Sequence, residues 1–184
     1  ARPDAPALRE KEYGIWQALT WRQLALLVRQ LANGLAAAGL KRGQHIVVIG
    51  ENRPRLYASM LAAQSLGAIP VPLYQDAASA EFVFPIFNAD VAFAIVEDQE
   101  QVDKLLEIRP QCPGLARLWF DDPRGLRNYD EPALGVIDEE ALAFGIWHTR
   151  RLKPADKRGQ TTIIHGNGAA ANITQLLDLA PPTE

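Results

Sequence analysis

The sequence predicts an α/β fold, a largely parallel sheet flanked by helices. Three observations predict it. Short apolar runs alternate with segments of helical periodicity, the signature of a layered α/β domain. The run HIVVIG at 45–50 is apolar throughout, as a strand buried on both faces should be. Hydrophobic residues make up 48% of the 184 and charged residues 22%, which supplies a sizeable core.

The clearest helix lies in TWRQLALLVRQLANGLAAAGLKRG, where Leu24, Leu27, Val28, Leu31 and Leu35 share one face. Thr20 is placed to cap it, with Gln23 completing a capping box, and Gly39 or Gly43 ends it. After the strand at 45–50, Glu51, Asn52 and Arg53 turn into a second helix with Pro54 at its first position. Leu56, Tyr57, Met60, Leu61 and Leu66 are expected on its packing side, and Ala58, Ala62 and Ala63 permit close approach to a sheet. AIPVPLY at 68–74 reads as a strand whose Pro70 and Pro72 lack N–H groups on the same side, which suits an edge. Residues 79–88 should be helical, with Pro85 kinking or shortening the helix. A third strand follows at 91–98, then a helix capped by Asp98, then a fourth strand at 115–122. The pattern weakens from about Asp121 onward, where 137–144 fits one short helix. The expected division is an α/β unit over 1–145 and a basic linker with a terminal helix over 146–184.

The net charge of −3 argues against a nucleic-acid binder. The densest basic stretch, HTRRLKPADKR, is broken by Pro154 and Gly159 and reads as a linker. One cysteine, Cys112, permits no internal disulfide and no cysteine-pair zinc site, and reads as structural. No apolar run approaches about eighteen residues, so no transmembrane segment is expected. With no leader pattern, the expected compartment is cytoplasmic. The first residue is Ala1, not methionine, which fits a fragment.

TTIIHGNGAAANI, at 161–173, places Gly166, Gly168 and Ala171 at the spacing of a dinucleotide-binding turn. A nicotinamide- or flavin-dependent oxidoreductase module is thus one reading. Against it, the chain has no room for the second strand of a βαβ unit, and Asp178 lies within the same helix. A non-catalytic α/β module that binds a partner through an exposed sheet edge is another, and such an edge offers a route to homo-oligomers.

A third reading comes from an ordered series of segments. RPDAPALREKEYGIWQALTWRQL, LKRGQHIVVIGENRPRLYASMLAAQSLGAIPVPLY and ADVAFAIVEDQEQVDKLL together resemble the N-terminal region of AMP-forming acyl-CoA synthetases. Among these adenylate-forming enzymes the series is most similar to the long-chain-fatty-acid–CoA ligases, over about 2–138. The resemblance implies a complete enzyme in which a fatty acid attacks ATP to give an acyl-adenylate, and coenzyme A then displaces AMP. It implies Mg²⁺ bridging the phosphates. IIHGN, at 163–167, resembles the stretch immediately after the family's phosphate loop. Upstream stands only KRGQTT, and Lys157, Gly159, Thr161 and Thr162 do not reproduce that loop. The resemblance therefore implies an altered or incomplete phosphate-loop region and a fragment inactive alone, with no cofactor bound. No catalytic and no metal-ligating residue is assigned. His165, Asn52 and Tyr74 are the cofactor-binding candidates: His165 comes after the loop position, and the others lie beyond strand ends, where open α/β sheets take ligands. Simpler roles are a turn histidine, a helix cap and a packed aromatic, respectively. The Asp121-Asp122 pair reads as a turn.

Overall fold

The computed structural model describes residues 2–126, Tyr129 and the strand Leu134–Val136. The boundary expected near 145, the helix expected over 137–144, the glycine turn and His165 all lie outside the described residues.

A hairpin opens the chain: β1, Pro6–Glu12, pairs antiparallel with β2, Ile15–Thr20. Tyr13 and Gly14 connect them, both with positive φ (47° and 82°), as the right-handed twist of a two-residue hairpin demands. Thr20 then caps α1, Trp21–Ala37, in a full capping box with Gln23. Gly39, at φ +98°, closes the helix, and the N–H of Leu40 reaches back to the carbonyl of Leu35 in a Schellman arrangement.

The body alternates strand and helix: β3 His45–Ile49, α2 Pro54–Ser65, β4 Ile69–Leu73, α3 Ser79–Asn88, β5 Phe93–Val96, α4 Gln99–Ile108, β6 Arg117–Phe120 and β7 Leu134–Val136. The five strands stand in the order β4-β3-β5-β6-β7, and every pairing is parallel. The expected α/β class and parallel sheet are therefore what the chain adopts.

Side-chain alternation along the strands sends successive residues to opposite layers. Val47, Ala94, Val96, Leu118 and Phe120 meet Phe82, Ile86, Val102 and Leu105 of α3 and α4. Ile46, Phe93, Ile95 and Trp119 meet Leu31, Leu35, Ala58 and Ala62 of α1 and α2. Phe93 and Trp119 stack with ring centroids 5.8 Å apart. Cys112 is buried among the first set, as a structural cysteine should be.

Three details depart from expectation. Neither the hairpin nor β7 is among the elements that the sequence pattern predicts. On α2, Ala58, Ser59, Ala62 and Ala63 are buried, while Tyr57 and Leu61 are exposed. Small side chains let α2 approach its neighbours closely, and Tyr57 and Leu61 are turned outward, while Leu66 after the helix packs against the core as expected. On α3, Pro85 does not shorten the helix, which runs the full 79–88. In so short a helix the proline removes a single interior hydrogen bond.

β4 is an edge strand, as its prolines suggest. The N–H of Ile69 donates to the carbonyl of Gln44 at 2.8 Å, so residues 69, 71 and 73 serve the ladder to β3. Pro70 and Pro72 then turn their nitrogens to the free edge and remove two donors from it. That blunts the edge against the strand pairing that self-association would need.

Candidate functional site at the strand ends

In a parallel sheet all strand C-termini point one way, so the residues after β3, β5 and β6 converge. Here they are Gly50 to Arg53, Glu97 and Asp98, and Asp121 and Asp122. The backbone ties the turns together. The N–H of Glu97 donates to the carbonyl of Ile49 (3.0 Å), and the N–H of Asp122 to the carbonyl of Glu97 (2.7 Å).

Glu97 organises the edge. Its Oε2 accepts the N–H of Glu51 at 2.5 Å, and its Oε1 lies 2.7 Å from Nε of Arg53. The Arg53 N–H is not aligned with that oxygen, so the pair is held by charge more than by a hydrogen bond. A second carboxylate, Glu51, stands 3.3 Å from the same guanidinium. Burial is the largest single influence on Arg53 and lowers its pKa, but Glu97, Glu51 and Glu10 together outweigh it and hold it above its ordinary value. Gly50 is required here by space: a Cβ would stand 2.8 Å from Cβ of Glu97.

The neighbouring aspartates differ. Asp121 is half-buried and pairs with Arg55 at 3.0 Å. Burial raises its pKa, and Glu97, Asp122 and Glu10 push the same way against Arg55. Asp122 takes the Arg124 N–H at 2.9 Å and its Nε–H at 2.6 Å, and also meets Nη2. The hydrogen bonds from Arg124 hold the Asp122 carboxyl below its ordinary range. Asp122 thus forms the expected turn. Asp121 instead reaches a distant helix, a role that a turn assignment does not contain.

These groups line one wall of a cleft of about 790 Å³. The hairpin supplies Glu10, Glu12 and Tyr13, and α1 supplies Gln23, Leu27 and Gln30. Arg53, Arg55 and Arg124 face Glu10, Glu12, Glu97, Asp121 and Asp122. A polyphosphate placed here would meet more negative than positive charge, and each arginine already has a carboxylate. Among the described residues no group of three or more His, Cys, Asp or Glu could hold a metal ion. The described residues therefore do not form an all-protein metal cage.

Asn52 and Tyr74 lie at the same sheet edge, because Ile49 and Leu73 are register partners on β3 and β4. Neither lines the cleft. Asn52 is not the cap of α2, a position held by Arg53; its Oδ1 accepts the hydroxyl of Tyr57 at 3.1 Å. Tyr74 is not packed but 82% exposed. Sequence reasoning passed over Arg55 and Glu97, and gave Arg53 and Asp121 only turn positions. Their signal was present: three apolar runs each end in acids, and parallel strands bring such ends together.

The sequence profile of the AMP-binding enzyme family matches residues 1–159. An uncharacterized protein of Mycobacterium tuberculosis is 35% identical over 103 residues, 56% of this chain and 57% of that one. A long-chain-fatty-acid–CoA ligase of Bos taurus is 26% identical over 112 residues, 61% of this chain and 15% of the ligase. Among solved structures, the coronafacic acid ligase from Pectobacterium brasiliense superposes with a TM-score of 0.57 at 24% identity, covering 64% of this chain and 23% of that one. An anthranilate CoA ligase in complex with anthranoyl-AMP gives 0.54 at 22%, covering 56% and 20%. These structural likenesses show the fold. The chain thus spans 57% of the mycobacterial relative's length and 15% of the bovine ligase's. No described helix is long and apolar enough to cross a membrane. With the profile running from the hairpin through every strand of the sheet, the chain belongs to the AMP-binding enzyme family.

Proposed function

We propose that this chain is the front α/β section of a fatty-acid–CoA ligase. In the whole enzyme a carboxylate oxygen attacks the α-phosphorus of ATP, pyrophosphate leaves, and the thiol of coenzyme A then displaces AMP from the acyl-adenylate. The observation that carries this reading is the family match over residues 1–159, joined to relatives named as long-chain-fatty-acid–CoA ligases. The division into an α/β unit over 1–145 and an altered phosphate-loop region over 146–184 belongs to the same proposal, as does cytoplasmic residence.

The section's role in this reading is architectural. It builds the parallel sheet, and the Arg53–Glu97–Glu51 and Arg55–Asp121 pairs fix the strand-end turns against which a catalytic portion would pack. His165, Asn52 and Tyr74 remain the candidates for nucleotide or acyl contact. Phosphate charge must be neutralised by groups other than the cleft arginines, whose charge is already matched.

The test is hydroxamate formation from ATP, a fatty acid and hydroxylamine. The 184-residue chain alone should give none. Fused ahead of the complementary portion of a long-chain-fatty-acid–CoA ligase, it should restore hydroxamate that the complementary portion alone does not form. Activity of the isolated chain, or a folded but inactive fusion, would overturn the proposal.

A further inference from the structure

A second concave surface lies away from the strand ends, on the outward side of α1. It is an open groove of about 720 Å³. Trp21, Ala25 and Leu26 form its floor, and Arg2, Arg22 and Arg29 stand around it. The opposite face of α1 is fixed in the core by Leu24, Leu31 and Leu35, so the outward face is presented rigidly.

That face is unusual for a solvated helix. α1 contains no Asp or Glu. Trp21 and Leu26 are 57% and 53% exposed. By contrast α4 turns Glu100, Asp103 and Glu107 to solvent, as an ordinary surface helix does. Asp4 is bound to Arg22 at 3.0 Å. Arg2 and Arg29 have no ion-pair partner among the described residues. The patch is cationic on a chain whose net charge is −3.

A tryptophan and a leucine flanked by arginines, on a fixed helix face without acids, match the chemistry of an interfacial helix. We propose that this face docks on an anionic lipid bilayer. Charge complementarity selects that occupant: the arginines meet the headgroup charge while Trp21 and Leu26 enter the headgroup boundary. The inference does not depend on the ligase reading.

The test is flotation of the 184-residue chain with vesicles of phosphatidylcholine, alone or mixed with phosphatidylglycerol. Binding to the mixed vesicles should exceed binding to phosphatidylcholine and fall as salt rises. R2E/R29E should weaken it roughly tenfold or more. R2K/R29K, which keeps the charge, should retain it, and R2E/R29E should keep the native circular dichroism spectrum, so that its loss is not misfolding. L26S should weaken it about threefold or more. Equal binding to both vesicles, no binding to either, or wild-type binding by R2E/R29E would overturn the proposal. So would capture of free oleate without vesicle binding, or a dimer in solution that L26S dissolves.

Discussion

The inner wall of the strand-end cleft and its outer rim hold the same chemistry in different surroundings. On the wall, Asp121 meets Arg55; their side chains are 25% and 31% exposed. On the rim, Asp122, 24% exposed, meets Arg124, whose side chain is 77% exposed, so the pairs differ in the surroundings of the arginine. The carboxyl on the wall is pushed above its ordinary pKa and the one on the rim below it. Two adjacent residues thus teach that proximity alone does not decide what an ion pair does. Burial dominates at Asp121 and the hydrogen bonds from Arg124 dominate at Asp122, so the balance of desolvation against bonding decides what each pair does.

The largest effect should come from removing the cation on the wall. Arg55→Ala leaves the Asp121 carboxylate half-buried without its partner and beside Glu97. A fully buried broken pair costs about 3–5 kcal/mol, and this one keeps some solvent, so about 2–3 kcal/mol is expected. Urea unfolding followed by circular dichroism would measure it. A loss no larger than that of a surface substitution would mean that the wall is solvated after all, and the contrast with the rim would disappear.

A smaller effect concerns pH. The folded state holds the Asp121 proton more tightly than the unfolded chain does. This residue's contribution is therefore most favourable below the ordinary carboxylate pKa, and it is lost as pH rises through the raised folded value. Asp121→Asn removes the loss. Relative to the native chain, the variant should gain stability as pH climbs through that window, and it should cost less than Arg55→Ala at neutral pH. Asp122 runs the other way: its contribution is present above the ordinary pKa and disappears as pH falls through the lowered one. Parallel stability curves for Asp121→Asn and the native chain would sink the assignment.

The same contrast explains what could be read from the sequence. Four of the five strands of the main sheet were legible because Ile46, Val47, Phe93 to Val96 and Leu118 to Phe120 are buried and so must be apolar; β7 falls where the pattern weakens and was not. Thr20, Gln23, Asp98 and Gly39 act locally, and local chemistry is visible in a single sequence. The hairpin was not legible, because Ile15 and Trp16 are exposed and β2 shows no clean inward-outward alternation. Its one signal was the Tyr13-Gly14 turn. Asn52 and Tyr74 do follow strand ends but stand outside the cleft, and the pairs Arg53–Glu97 and Arg55–Asp121 were hidden. Each joins residues from separate strand-turn units, and only the strand order brings them together.

The smallest effect belongs to the rim. Arg124 is solvated, and its bond to Asp122 spans two residues within one turn, so the unfolded chain can form much of the same contact. Surface pairs of this kind contribute little after side-chain ordering is counted. Arg124→Ala should leave the melting temperature unchanged within measurement error, while NMR titration should show the Asp122 carboxyl returning toward its ordinary pKa. The two readouts separate the pair's electrostatics, which are real, from its stabilising value, which is slight. A melting shift as large as that of Arg55→Ala would show that Asp122 anchors the β6 turn through Arg124, and would place wall and rim in one cooperative network.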